Sequence, residues 1–233
     1  PLINAMNALL KQTEQMLNRE RSFISDSAHE LRTPLSALKV QLEVLEMSLS
    51  DEQERAKALQ KMEQGISRCA RLVEQLLALS KIDTTSAAQL SDDHIIDWKH
   101  LIAQILEDYA EKIKEKSLHI KLELDGLAPF EKGNSVLAAL LIRNLVDNAV
   151  KYSPQGATIR VEMTNGKLQV MNSQTLVAEK NLALLGQRFF RPAGQKETGS
   201  GLGLSIVRKI AEFYDCNVTF SNTENGFCVT IGQ

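Results

Sequence analysis

Phe23-Ile24-Ser25-Asp26-Ser27-Ala28-His29-Glu30-Leu31-Arg32-Thr33-Pro34-Leu35 sets one histidine between a small residue and a carboxylate, five residues ahead of a proline. Apolar or small residues recur through and beyond this stretch at alternating steps of four and three. Ile24, Ala28, Leu31, Leu35, Leu38, Leu42, Leu45 and Leu49 form the a/d seam of a heptad repeat. His29 follows a seam position by one residue, about 100° round the helix, so it is predicted to face outward and to be available to a partner. Pro34 removes one backbone donor and crowds the carbonyl of Glu30, so a kink is expected just after His29.

Working outward, residues 1–20 read as a helix with seam positions Leu2, Met6, Leu9, Thr13 and Met16. From Met16 the steps run through Glu20 and Ile24 to Ala28, three fours in succession, a stutter that locally unwinds a coiled coil. On the other side, the polar stretch 48–54 reads as a turn. A second seam follows at Leu59, Met62, Ile66, Cys69, Val73, Leu76 and Ser80. Two amphipathic helices joined by a short polar turn make an antiparallel hairpin, and a dimeric four-helix bundle is the way to bury the stripe each hairpin exposes.

Thr84-Thr85-Ser86-Ala87-Ala88-Gln89 is small, polar and without periodicity, which predicts a linker over 84–91. Beyond it the pattern changes. Helices are predicted over 98–116, 135–151, 178–186 and 204–214, and strands over 118–124, 158–163, 167–171, 217–221 and 227–231. Helices interleaved with mostly antiparallel hairpins imply a two-layer α/β sandwich. The fold class is therefore α+β, a helical-hairpin dimerisation domain followed by the sandwich, with expected divisions at 1–20, 21–83, 84–91 and 92–233.

The chain has 233 residues, 43% apolar and 24% charged, ordinary for a soluble globular protein with a core. A net charge of -2 gives no reason to expect a nucleic-acid partner. Cys69, Cys216 and Cys228 have no metal-binding spacing, and an odd, scattered count fits a reducing compartment. No run of 18 apolar residues and no signal peptide is present, and the first residue is proline rather than methionine, so the chain is expected to be a piece of something longer.

Two constellations carry chemistry in the second half. Asn144, Asn148 and Lys151 stand at i, i+4 and i+7, so one helical face presents two amides and an ammonium. An amide oxygen is a hard ligand for magnesium, and an ammonium meets phosphate oxygens. Thr198-Gly199-Ser200-Gly201-Leu202-Gly203-Leu204-Ser205 precedes an amphipathic helix. Glycines there let backbone amides approach an anion, and the helix adds its positive end.

His29 to Leu35, His-Glu-Leu-Arg-Thr-Pro-Leu, resembles the H-box of bacterial sensor histidine kinases. Residues 141–153 resemble the N-box of the ATPase superfamily that holds those kinases, DNA gyrase, a class of heat-shock chaperones and MutL. Arg188-Phe189-Phe190-Arg191-Pro192 looks like the family's F-box, and Gly199, Gly201, Gly203 and Leu204 match its second glycine box. The resemblance implies ATP and Mg2+ as cofactors, and phosphorylation of His29 followed by transfer to an aspartate of an OmpR-type response regulator. It implies Glu30 as base or orienter, and Thr33 as the positioner of water in a phosphatase reaction. Asn148 becomes the magnesium ligand, Lys151 and Tyr152 lie near phosphates and ribose, and Arg191 reaches the γ-phosphate. It further implies a homodimer, a HAMP-like lead-in helix, a transmembrane sensor upstream, and a place on the cytoplasmic face of the bacterial inner membrane. A repair or chaperone ATPase of the same superfamily lacks an H-box helix.

One motif departs from the pattern. Where the family has Asp-x-Gly-x-Gly, whose aspartate receives the adenine amino group, this chain has Asn172-Ser173-Gln174-Thr175-Leu176. A neutral amide replaces the carboxylate, Gln174 and Leu176 replace glycines, and Leu176 is expected to be able to occupy the adenine cavity. The rival reading is a weakened or nucleotide-free signalling scaffold.

Overall fold

A computed structural model describes residues 2–47, 52–84, 94–195, 197 and 199–233. The predicted linker falls outside them but for Thr84, and so does most of the turn at 48–51. The chain divides into two compact units, at Leu77 and Ala78. Among the described residues no helix is long and apolar enough to cross a membrane.

The first unit is built from α1 (Leu2–Met47) and most of α2 (Glu52–Thr84). α1 is one unbroken helix of 46 residues, running through the stutter and through Pro34. Glu52 and Glu54 in the first turn of α2 complement its dipole. The two helices approach closely, since a Cβ placed on Gly65 of α2 would lie 2.8 Å from Leu38 Cδ2 of α1. The heptad seams split into two sets. Leu31, Leu38 and Leu45, with Met62, Cys69 and Leu76, are half-buried, whereas Ile24, Leu35 and Leu42, with Leu59, Ile66 and Val73, stand exposed. A hairpin covers one position of each heptad and leaves the other open.

The second unit opens with α3 (Trp98–Asp108) and α4 (Ala110–Glu115), where a single helix was expected. Tyr109 separates them at φ −102, ψ 4. Its ring is buried, and its hydroxyl donates to Asp147 Oδ1 at 3.1 Å, a tertiary tie that holds the break in place. There follow β1 (His119–Glu123), α5 (Ser135–Tyr152), β2 (Thr158–Thr164), β3 (Lys167–Ser173), the single turn α6 (Glu179–Leu182), α7 (Gly203–Phe213), β4 (Asn217–Thr223) and β5 (Gly226–Gly232). α6 falls short of the helix expected over 178–186.

The sheet runs β1-β2-β3-β5-β4. Among the described strands only β1 and β2 pair in parallel, joined through the α5 crossover, and the other pairs are antiparallel. Between β2 and β3, Asn165 and Gly166 take φ values of 50° and 71°, the backbone a tight hairpin turn requires. Ile159, Val161 and Met163 of β2 and Leu168 and Val170 of β3 alternate inward, and α5 and α7 pack on that layer. At the other end, Trp98 donates from Nε1 to the Phe130 carbonyl at 2.9 Å, and Phe130 stacks on Tyr214 at 4.0 Å between ring centroids.

Candidate active site

α5 begins at Asn134, whose side-chain oxygen accepts from the amides of Val136 and Leu137 at 2.9 and 3.2 Å. One face of the helix is core, with Leu141, Ile142, Leu145, Val146 and Ala149 all buried. The opposite end of α5 is closed by a residue that the sequence did not single out. The half-buried Lys116 ammonium donates to the carbonyls of Val150, Lys151 and Ser153 at 3.1, 2.7 and 3.3 Å. A cation on the last carbonyls complements the dipole and fixes the turn that carries Lys151 and Tyr152.

Asn144 is buried, and its Nδ2 donates to the Leu140 carbonyl at 2.7 Å. Its Oδ1 faces the start of α7, where a Cβ on Gly203 would stand 3.1 Å away. Asn148 lies one turn further on and is half-buried. Lys151 Nζ sits 5.2 Å from the centre of the Tyr152 ring, and a Cβ on Gly199 would collide with that same Nζ. The lysine tip thus lies directly against the Gly199 backbone. Burial pushes the Tyr152 hydroxyl above its ordinary pKa, and the Arg191 guanidinium beside it pulls the other way. Arg191 donates from Nη2 to the Glu197 carbonyl, while its Nε is buried with no partner among the described residues.

Gly201 holds φ +72°, and Phe189 behind it holds φ +62°, an unusual backbone for an aromatic residue. A Cβ on Gly201 would meet the Phe189 carbonyl carbon at 2.6 Å. The two expected boxes thus fold against each other backbone to backbone. α7 starts at Gly203 without a side-chain cap, which leaves its first amides open to an anion. Leu204 lies in that first turn, half-buried. Asn144, Lys151, Tyr152, Arg191, Gly199, Gly201 and Gly203 are therefore neighbours in one place.

Asn172 lies on β3, paired with Ile159 and Phe227, and is 4% exposed. Gln174 adopts φ +58°, a left-handed conformation in which glycine is the unstrained residue. Leu176 does not occupy a cavity: its side chain is 71% exposed, so the expectation that it could plug the site is corrected. The loop turns it to solvent because Thr175, one residue earlier, is tied inward by its hydroxyl to the Tyr152 carbonyl at 3.3 Å.

His29, Glu30 and Thr33 belong to the first unit. His29 is exposed on α1, Glu30 is half-buried, and the Thr33 hydroxyl donates to the His29 carbonyl at 3.3 Å. Among the described residues no three His, Cys, Asp or Glu side chains gather as a metal site.

Residues 19–85 match the His Kinase A (phospho-acceptor) domain, and residues 133–232 match the histidine kinase-, DNA gyrase B- and HSP90-like ATPase. The sensor protein QseC of Escherichia coli strain K12 is 44% identical over 226 residues, 97% of this chain and 50% of that protein. This chain spans about half the length of the curated relatives it matches. The solved cytoplasmic segment of histidine kinase QseC is 30% identical with a TM-score of 0.50, over 72% of this chain and 93% of that one. The fold also matches histidine kinase ThkA in its complex with response regulator protein TrrA, at 20% identity and a TM-score of 0.69, over 95% of this chain and 65% of that one. Phospho-acceptor helices and an ATPase sandwich in one chain, matched along almost its whole length by a sensor kinase, make this protein a member of the two-component sensor histidine kinase family.

Proposed function

We propose that this chain is the catalytic portion of a dimeric sensor kinase that phosphorylates His29 from ATP and passes the phosphoryl group to an aspartate of an OmpR-type response regulator. The observation that carries the reading is the convergence of Asn144, Lys151, Tyr152 and Arg191 on the Gly199–Gly203 loop, an amide, a phenol and two cations around a run of open backbone amides. Such a set fits a magnesium triphosphate, with Asn148 as the protein's oxygen ligand. Bound Mg2+ would neutralise charge on the phosphates and so ease the loss of ADP.

A neutral His29 nitrogen attacks the γ-phosphorus, the bond to the β-phosphate oxygen breaks, and ADP leaves. Glu30 accepts or orients the proton on the other ring nitrogen. Lys151 and Arg191 hold the phosphates in line, and the Gly199–Gly203 loop with the first amides of α7 closes over them. Thr33 would position water against the regulator's phosphoaspartate in the phosphatase reaction. Residues 21–83 serve dimerisation and phosphotransfer, 84–91 the hinge, 92–233 nucleotide binding, and 1–20 the end of a HAMP-like linker from a sensor in the inner membrane, with the catalytic portion on its cytoplasmic face.

A second reading, a kinase weakened in nucleotide binding or a nucleotide-free scaffold, is supported by Gln174 in a left-handed conformation and by a neutral amide at Asn172. Labelling with γ-labelled ATP separates the two. The first reading expects acid-labile phosphate on the intact chain and none on His29→Gln, with nucleotide binding kept. Label remaining at His94, His100 or His119 would overturn the assignment of His29. A chain that binds no nucleotide and takes no label would leave the scaffold.

A further inference from the structure

α5 ends at Lys151-Tyr152-Ser153-Pro154, without a glycine. Ser153, set before a proline, is extended at φ −69°, ψ 133°, so the left-handed turn that commonly closes a helix is not made. The last four carbonyls must find other donors. Ala149 receives the Ser153 amide at 3.0 Å, and Val150 and Lys151 receive the Lys116 ammonium, which spends its third proton on the Ser153 carbonyl. That leaves the ammonium nothing for Tyr152. The Tyr152 carbonyl instead takes the half-buried Thr175 hydroxyl at 3.3 Å, a proton shared with the Ser173 carbonyl at 3.4 Å. The β4–β5 hairpin holds the chain on both sides of Thr175. Gln174 donates its amide to the Asn225 carbonyl at 3.1 Å, and Val177 exchanges two bonds with the Asn222 side chain at 3.0 and 2.7 Å.

We propose that Thr175 is a positioning residue for phosphoryl transfer, which anchors the end of α5 to the sheet and so sets where the Lys151 ammonium stands against the glycine loop. The inference rests on the nucleotide-binding reading above and adds a residue that acts through Lys151. The end of α5 and the loop meet at one point, since a Cβ on Gly199 would stand 3.7 Å from Lys151 Cε and 4.0 Å from the Tyr152 hydroxyl. Lys151 hangs from the turn whose carbonyls Lys116 and Thr175 share between them. Lys116 reaches that turn from the end of α4 and Thr175 from the loop after β3, so losing either contact lets the turn pivot on the other. Displacing a phosphate-holding group by about 1 Å can cost about a hundredfold in rate, so one hydroxyl at this place matters beyond its own strength.

Calorimetric titration of the intact chain in Mg2+ with the non-hydrolysable analogue AMP-PNP tests this through a double-mutant cycle. Thr175→Val keeps the shape without the hydroxyl and should weaken binding at least about fivefold, equivalent to about 1 kcal/mol. Thr175→Ser keeps the hydroxyl and should bind within about twofold of the unmodified chain. In a Lys151→Met background Thr175→Val should add less than about twofold, because the side chain through which Thr175 acts is gone. Urea midpoints read from Trp98 establish that each variant is folded when it is titrated. A valine variant that binds as the unmodified chain does, or a serine variant as weak as the valine one, would overturn the role of Thr175 and leave the nucleotide site standing. The full fivefold cost persisting without Lys151 would overturn it too, since Thr175 would then only support the fold. Should the Lys151→Met chain bind too weakly to titrate, the valine and serine variants decide alone. If the unmodified chain binds no AMP-PNP, both this inference and the nucleotide reading fall.

Discussion

Replacing Gly201 by alanine tests the contact that joins the F-box to the glycine loop. Two effects add. The φ of +72° puts an alanine in the left-handed region, which costs about 1 to 2 kcal/mol. The new Cβ would also lie 2.6, 2.8 and 2.9 Å from the carbonyl carbon, Cα and oxygen of Phe189. Ordinary contact begins at 3.4 Å, so the two backbone segments must part by about 0.8 Å, and neither is the flexible end of a side chain. Overpacking of this kind adds about 1 to 3 kcal/mol. Gly194 supplies the control, because it holds φ +84° and a Cβ placed on it would meet no atom within 4 Å, so Gly194→Ala carries the first effect alone. Trp98 is the chain's single tryptophan and is 4% exposed in the second unit, so its fluorescence in urea reports that unit and not the helices. With a slope of about 2 kcal/mol per molar, Gly194→Ala should lower the midpoint by about 0.5 M and Gly201→Ala by at least about 1 M. Nucleotide affinity should fall at least about tenfold for Gly201→Ala and little for Gly194→Ala. Equal midpoints and equal affinities in the two variants would refute the claim that the Phe189 contact shapes the loop.

Lys116→Met keeps the stem and removes the ammonium that caps α5. Losing charge-assisted bonds to three carbonyls should destabilise the second unit by about 2 kcal/mol in the same Trp98 assay, and no change would show the cap to be ornamental. Leu35→Glu and Ile66→Glu place charges on the exposed half of the heptad seams. Sedimentation equilibrium at micromolar concentration should find a dimer for the unmodified chain and monomers for both variants. A variant that stays dimeric would mean this stripe does not hold the protomers together.

The helical seams were legible because a heptad pattern is local, but the pattern treats Leu35 and Leu38 alike. Which of them a hairpin covers depends on where the second helix lies, and that is not written in either seam. The i, i+4, i+7 spacing of Asn144, Asn148 and Lys151 placed a polar face on α5 correctly, since helical geometry alone decides it. The Lys116 cap was not readable, because its bonds span 34 to 37 residues and no spacing rule reaches that far. Nothing about a phenylalanine announces the left-handed backbone of Phe189. That conformation follows from how closely Gly201 lets another strand of backbone approach. The helix expected over 98–116 failed at Tyr109 for a related reason, a side chain drawn to Asp147 in a distant helix. Gln174 is intermediate: the missing glycine was visible, and the strain it leaves is a φ of +58°.

The order β1-β2-β3-β5-β4 has a consequence for how the second unit comes into being. β5, the last of the described strands along the chain, lies inside the sheet, bonded to β3 on one side and β4 on the other. A ribosome that has released everything up to Thr223 has made an edge strand with nothing to pair to. The sheet closes only after Gly232 emerges, by bringing together residues as far apart as Lys167 and Gly232. Such long-range closure is slow, whereas a helical hairpin needs only its own neighbours. The phospho-acceptor helices should therefore fold first and wait, their open stripe exposed, for a nucleotide domain that cannot assemble until its final strand is made.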